Sequence, residues 1–65
     1  MMNVSFVHVD IKDRVVIDGD QTIKGVVTGI QIRADGYWTA EVSYVHSGVP
    51  QSPWVEGYRL EKIDD

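Results

Sequence analysis

The stretch TIKGVVTGIQIRADGYWTAEVSYVH, residues 22 to 46, decides the fold. Its second half, YWTAEVSYVH, places Trp38, Ala40, Val42 and Tyr44 on one face and Thr39, Glu41 and Ser43 on the other. That period of two belongs to a strand with one buried face. The first half, residues 22 to 33, is rich in β-branched side chains, and Ala34-Asp35-Gly36 joins the two. Asp-Gly between such runs signals a hairpin, because the tight turn needs a positive φ that glycine adopts without steric cost. Gly25 and Gly29 interrupt the first strand, where isolated glycines mark a bulge, a bend or a close backbone approach.

Working outward, DRVVID (13 to 18) is a short strand with Val15 and Ile17 on its inward face, ending in the turn residues Asp18-Gly19-Asp20. The segment NVSFVHVD (3 to 10) also alternates, with Val4, Phe6 and His8 on one side and Ser5, Val7 and Val9 on the other. Both of its faces are partly apolar, so residues 1 to 10 are expected to add an edge strand or to pair with a second subunit. Past the central hairpin, His46 to Pro53 is a loop by composition, and Trp54-Val55-Glu56 is a short strand. Pro50 and Pro53 have no N–H for a ladder and belong at an edge or in a connection. Gly57-Tyr58 suggests a tight turn or one turn of 3₁₀ helix, followed by a closing strand around Leu60 to Ile63. Asp64 and Asp65 are expected to form a frayed tail. The sum is an all-β chain, one small barrel of five or six short antiparallel strands spanning residues 1 to 65.

A chain of 65 residues is near the lower limit for a single hydrophobic core, and area bookkeeping leaves it about 3–5 kcal/mol of stability. Self-association into a homo-oligomer would add to that. There is no cysteine, which removes disulfides, thiolate catalysis and cysteine-based zinc sites. No apolar run approaches a membrane span, and MMNVSFVHVD lacks the basic start and cleavage site of a secretory signal, so a cytoplasmic location is expected. Six Lys and Arg stand against ten Asp and Glu, a net charge of −4. With Lys12, Arg14, Lys24, Arg33, Arg59 and Lys62 scattered along the chain, nucleic acid is the less expected partner, because phosphate affinity comes from clustered cations.

The order KDRVVI, KGVVTGI, polar hairpin, WTAEVSY and a final LEKI resembles the SH3-like barrel of KOW-type and Tudor-type modules over residues 11 to 63. It is also similar in pattern to the plasmid-encoded type II dihydrofolate reductases, which open on Gly-Asp-Arg-Val and end on Leu-Glu-Arg-Ile. Here those steps read Lys12-Asp13-Arg14-Val15 and Leu60-Glu61-Lys62-Ile63. That family's pore uses a Val-Gln-Ile-Tyr run and an early lysine; this chain has Ser52-Pro53-Trp54-Val55 and Ile17-Asp18 in their places. The resemblance therefore implies the fold and a tetrameric assembly as an alternative, without the reductase site. The late tryptophan and aromatic-rich strand also resemble small proteins of phages and other mobile elements.

Candidate chemistry is sparse. His8 and His46 are far apart in sequence with no third ligand in view. Asp18-Gly19-Asp20 lacks the further ligands of a calcium loop, and no serine sits in a nucleophile motif. No cofactor or metal is expected, and no catalytic residue. The aromatics remain. Trp38 follows the inward register and is either core or a cap on one barrel end. Trp54 and Tyr58, in SPWVEGY (52 to 58), flank the proline loop. With Tyr37, Tyr44 and Glu56 they are the candidate binding residues, an aromatic platform with a charged rim for a protein partner. The structural alternative is that Trp54 packs across the barrel mouth or into a subunit interface. The expected function is a non-enzymatic protein-interaction module or adaptor, with a nucleic-acid-associated module as the other alternative.

Overall fold

A computed structural model describes residues 7–63. Among the described residues six strands form one antiparallel sheet: β1 (Arg14–Ile17), β2 (Asp20–Ile32), β3 (Trp38–His46), β4 (Val49–Gln51), β5 (Trp54–Glu56) and β6 (Leu60–Lys62), with a 3₁₀ turn, η1 (Gly57–Arg59), between the last two. The order across the sheet is β4-β3-β2-β1-β6, and β5 pairs with β3 beside β4. Because β5 lies on β3 and, one 3₁₀ turn later, β6 lies on β1, residues 54 to 62 connect the two ends of the β1–β2–β3 meander. The result is the expected all-β, barrel-like domain.

Turn chemistry sets each reversal. Asp18 (φ 54°) and Gly19 (φ 72°) make the two-residue β1–β2 loop, and Ser47 (φ 52°) and Gly48 (φ 78°) make the β3–β4 loop. Positive φ at both central residues is the geometry that matches strand twist in a two-residue hairpin. The β2–β3 connection is one residue longer: Gly36 N–H donates to Arg33 O (3.0 Å), Arg33 N–H donates to Tyr37 O (2.8 Å), and Gly36 has φ 90°.

Two sequence expectations need correction. The segment taken as a loop from His46 to Pro53 contains β4, paired through His46↔Val49, Val45↔Pro50 and Tyr44↔Gln51. Pro50 is compatible because β4 is an edge strand, as the proline rule requires. The second concerns the N-terminus. Within the expected edge strand, residues 7 to 10 form no strand; the rest of that segment, like the expected tail at 64 and 65, lies outside the described residues.

The core consists of Val9, Val15, Ile17, Val27, Trp38, Ala40, Val42, Val55 and Leu60, with Val7, Ile23, Ile30 and Tyr44 packed against it. Among them, Val15 and Ile17 of β1 and Trp38, Ala40 and Val42 of β3 are the inward positions predicted from alternation. Val16, on the opposite face of β1, is fully buried as well, which accounts for a strand that does not alternate in sequence. The register of β2 against β3 shifts between Val27 and Gly29, so the bulge falls at Thr28. Its hydroxyl donates to Glu41 O (3.2 Å) and Glu41 Oε1 (3.0 Å), pinning the bulge to β3.

Ahead of β1, Asp13 N–H donates to Asp10 O (3.0 Å) across a four-residue turn whose third residue, Lys12, has φ 79°. Lys12 N–H donates to Val27 O (2.7 Å) and Val27 N–H to Asp13 O (2.9 Å), so this turn is tied into β2. A lysine at such a φ is strained, and glycine is the residue that relaxes it.

Candidate functional site

One end of the domain carries an open pocket of about 490 Å³ lined by His8, Arg33, Asp35, Gly36, Tyr37, Trp38, Thr39, Glu56, Gly57 and Tyr58. Three elements build it: the β2–β3 connection, the start of β3, and the β5–η1 junction.

The base is Trp38, which is only 8% exposed. Its indole lies against the backbone of Gly57, and a Cβ added there would overlap Cε2 and Cζ2 of the ring. Only glycine leaves room for this contact, which locks η1 onto the first residue of β3. The His8 ring stands edge-on to Trp38, with centroids 5.4 Å apart and planes at 74°. His8 Nε2 lies 2.9 Å from Leu60 O; a carbonyl can only accept, so Nε2 carries the proton and donates. The imidazole thus fastens the segment before β1 to the start of β6, and it does so beside the pocket.

The walls are two tyrosines. Tyr37 is 69% exposed and Tyr58 is 82% exposed. Tyr37 is set by its backbone: its N–H donates to Asp35 Oδ1 (3.1 Å) and its carbonyl accepts from Arg33 N–H (2.8 Å). Tyr58 sits in the middle of η1, a turn fixed on one side by the Trp38 contact and on the other by Arg59. That guanidinium donates twice to Asp18, Nε to Oδ1 (3.0 Å) and Nη2 to Oδ2 (2.7 Å), and Nη1 donates to Glu56 Oε1 (3.3 Å). Asp18 N–H returns a bond to Arg59 O at 2.8 Å. Hydrogen bonding from Arg59 holds the Asp18 carboxyl below the usual carboxylate range. Glu56 is also lowered, first by its own backbone N–H and then by Arg59. Both are anions at neutral pH.

Charge at the rim comes from Asp35 and Glu56, with Arg33 beside them. Arg33 Nε is 3.7 Å from Asp35 Oδ2, and both side chains are more than half exposed, so the pair is weak and readily rearranged. Among the described residues, no buried side-chain polar atom lacks a partner. The deep part of the pocket therefore offers ring surface, and its available charge lies at the rim.

The five residues singled out from sequence fall into two groups. Tyr37, Glu56 and Tyr58 line this pocket. Tyr44 and Trp54 line a second, smaller depression of about 320 Å³ with Ile17, Asp18, Asp20, Ile23, Pro53, Val55 and Arg59. Trp54 is half exposed and lies across the outer face of the sheet: it is the ladder partner of Glu41, which is in turn the partner of Gly29. Its Cη2 comes within 3.2 Å of where a Cβ on Gly29 would sit. Trp54 thus covers the glycine beside the bulge, and the SPWVEGY stretch forms a ridge between the two depressions.

Comparison with known protein families, curated proteins and solved structures finds no match. The site stands on its own geometry.

His8, Arg33, Asp35, Trp38 and Gly57 join the site without having been singled out for it. His8 reaches a carbonyl 52 positions away, and no local pattern encodes that meeting. Asp35 and Gly36 were legible as turn residues; what the sequence does not say is that this turn lies beside η1. His46 is exposed at the end of β3. Among the described residues no three His, Asp or Glu side chains form a metal cluster, and no helix is long and apolar enough to cross a membrane. Among the described residues, carboxylate partners lie beside Arg33 (Asp35), Arg59 (Asp18 and Glu56) and Lys62 (Asp13, at 3.5 Å).

Proposed function

We propose that this chain is a non-enzymatic protein-interaction module of SH3-like construction that docks a segment of another protein in the groove between Tyr37 and Tyr58. The construction is supported by the strand order, a meander whose last strand returns to the first after a 3₁₀ turn. The observation that carries the function is a pocket lined by two exposed tyrosines, Tyr37 and Tyr58, together with the buried indole of Trp38. The backbone is fixed at both tyrosines, and both side chains are mostly exposed. Tyrosine and tryptophan bring large, stiff contact surfaces at small entropic cost, and such residues dominate binding hot spots. The carboxylate partners of Arg33, Arg59 and Lys62 make a phosphate backbone a poorer fit than a peptide.

A displayed peptide library selected on the native protein and counter-selected on Tyr58→Ala tests this. Peptides that bind the native chain and are lost on the variant support the reading; enrichment that is indifferent to Tyr58, or no enrichment at all, sinks it.

A further inference from the structure

The groove's charge pattern narrows what it accepts. Building on the docking reading above, we infer that the pocket between Tyr37 and Tyr58 is a receptor for a cationic side chain, an arginine or lysine of the partner segment, seated on the aromatic rings and paired with the rim carboxylates Asp35 and Glu56.

Three features of the site converge on a cation. Tyr37, Tyr58 and Trp38 all line the pocket, and a guanidinium or ammonium over an aromatic face is attracted without needing a hydrogen-bond acceptor in the floor. That matters here, because the floor is the Trp38 indole and the Gly57 backbone, and the buried polar atoms of the described residues are already partnered.

The rim supplies the counter-charge. Asp35 and Glu56 both line the pocket, one in the β2–β3 connection and one at the end of β5. The Glu56 carboxyl is held ionised by its own N–H and by Arg59. Each carboxylate has an arginine beside it with an exposed side chain: Arg33 Nε lies 3.7 Å from Asp35 Oδ2, and Arg59, whose main fork is onto Asp18, reaches Glu56 Oε1 with Nη1 at 3.3 Å. An incoming anion would meet both carboxylates, while an incoming cation meets carboxylates whose existing partners are exposed and weakly held. The net charge of −4 favours the same approach at longer range.

Aliphatic or proline side chains would also gain from the rings, and the contest between them and a cation is decidable. The test uses the full chain, labelled with ¹⁵N, titrated with a set of Gly-Ser peptides that differ only at a central arginine, lysine, citrulline, norleucine, proline or glutamate. Arginine and lysine peptides are expected to shift the amide resonances of Gly36, Tyr37, Gly57 and Tyr58. Their binding should be about fivefold tighter than that of citrulline or norleucine, the ratio expected of a partly exposed cation–π contact. Rising ionic strength should weaken the charged peptides and leave norleucine unchanged. Tyr58→Ala and Glu56→Gln, with spectra showing a retained fold, should each reduce the preference. The arginine and lysine arms tell the two sources of positive charge apart. If norleucine or proline shifts the same resonances as strongly as arginine, the docking groove stands and the cation receptor is overturned. If glutamate binds best, it is overturned in sign. If no peptide shifts these resonances, both the receptor and the docking reading fall.

Discussion

The indole of Trp38 rests on the α-carbon of Gly57, close enough that no side chain fits between them. This contact couples the largest core side chain to the turn that carries Tyr58, so core packing and groove shape are set at one point. Gly57→Ala must push the ring out of the core or displace η1 from β3. Overpacking of this kind costs about 1–3 kcal/mol, a large part of what so small a domain has. Urea unfolding should show the loss, and Tyr58 should lose its ordered position in the variant that still folds. A Gly57→Ala protein as stable as the native one would mean that Trp38 does not lie where described.

The two tryptophans should answer differently to light. Trp38 is buried and Trp54 is half exposed, so Trp54→Phe should shift emission to the blue and remove most of the quenching by acrylamide or iodide, with the fold retained. Trp38→Ala should instead cost about 3–5 kcal/mol, as large core truncations do, and leave little folded protein at room temperature. Steady-state emission and circular dichroism on the two variants separate these outcomes.

The strands, their inward faces and the hairpin connections were legible because each rests on local chemistry: alternation in Trp38 to Tyr44, positive-φ residues at Asp18-Gly19 and Gly36. Strand β4 was missed because Pro50 and Gly48 suggest a loop by composition, although Ser47-Gly48 between Val45 and Val49 is itself a turn signal. The aromatic platform expected from SPWVEGY was legible as exposed ring surface. Its division was not, because sequence cannot say that Trp54 turns across the sheet onto Gly29 while Tyr58, four residues later, lines a different pocket with Tyr37. That outcome depends on the 3₁₀ turn and on the fork that Arg59 makes with Asp18, contacts between residues 41 positions apart.

The fork also makes stability depend on acid. Asp18 is lowered by its bonds from Arg59, Asp20 by those from Thr22, and Glu56 by its own N–H and Arg59. A carboxyl that is lowered in the folded state binds protons more readily when unfolded, so its contribution is present above the unfolded value near 4 and is lost as pH falls through the folded one. The urea midpoint should therefore be flat near neutrality and fall from about pH 5 to about pH 3. Asp18→Asn should lower the midpoint at neutral pH and shrink the fall. An acid limb unchanged in this variant would remove Asp18 from the account.

Lys12 offers a change in the opposite direction. Its φ of 79° lies in the left-handed region, which costs a side-chain-bearing residue about 1–2 kcal/mol, while its N–H bond to Val27 O at 2.7 Å holds it there. Lys12→Gly removes the strain, keeps the N–H, and gives back about 0.5–1 kcal/mol through the freer unfolded chain. A net gain of about 0.5–1 kcal/mol is expected. Lys12→Ala keeps the strain while losing the same charge, so it should show no gain. The pair of variants isolates backbone conformation from electrostatics: urea curves with equal slopes and a higher midpoint for glycine alone are the expected result. Equal midpoints for glycine and alanine would mean that the turn ahead of β1 adopts a different φ, and that Lys12 costs the fold nothing.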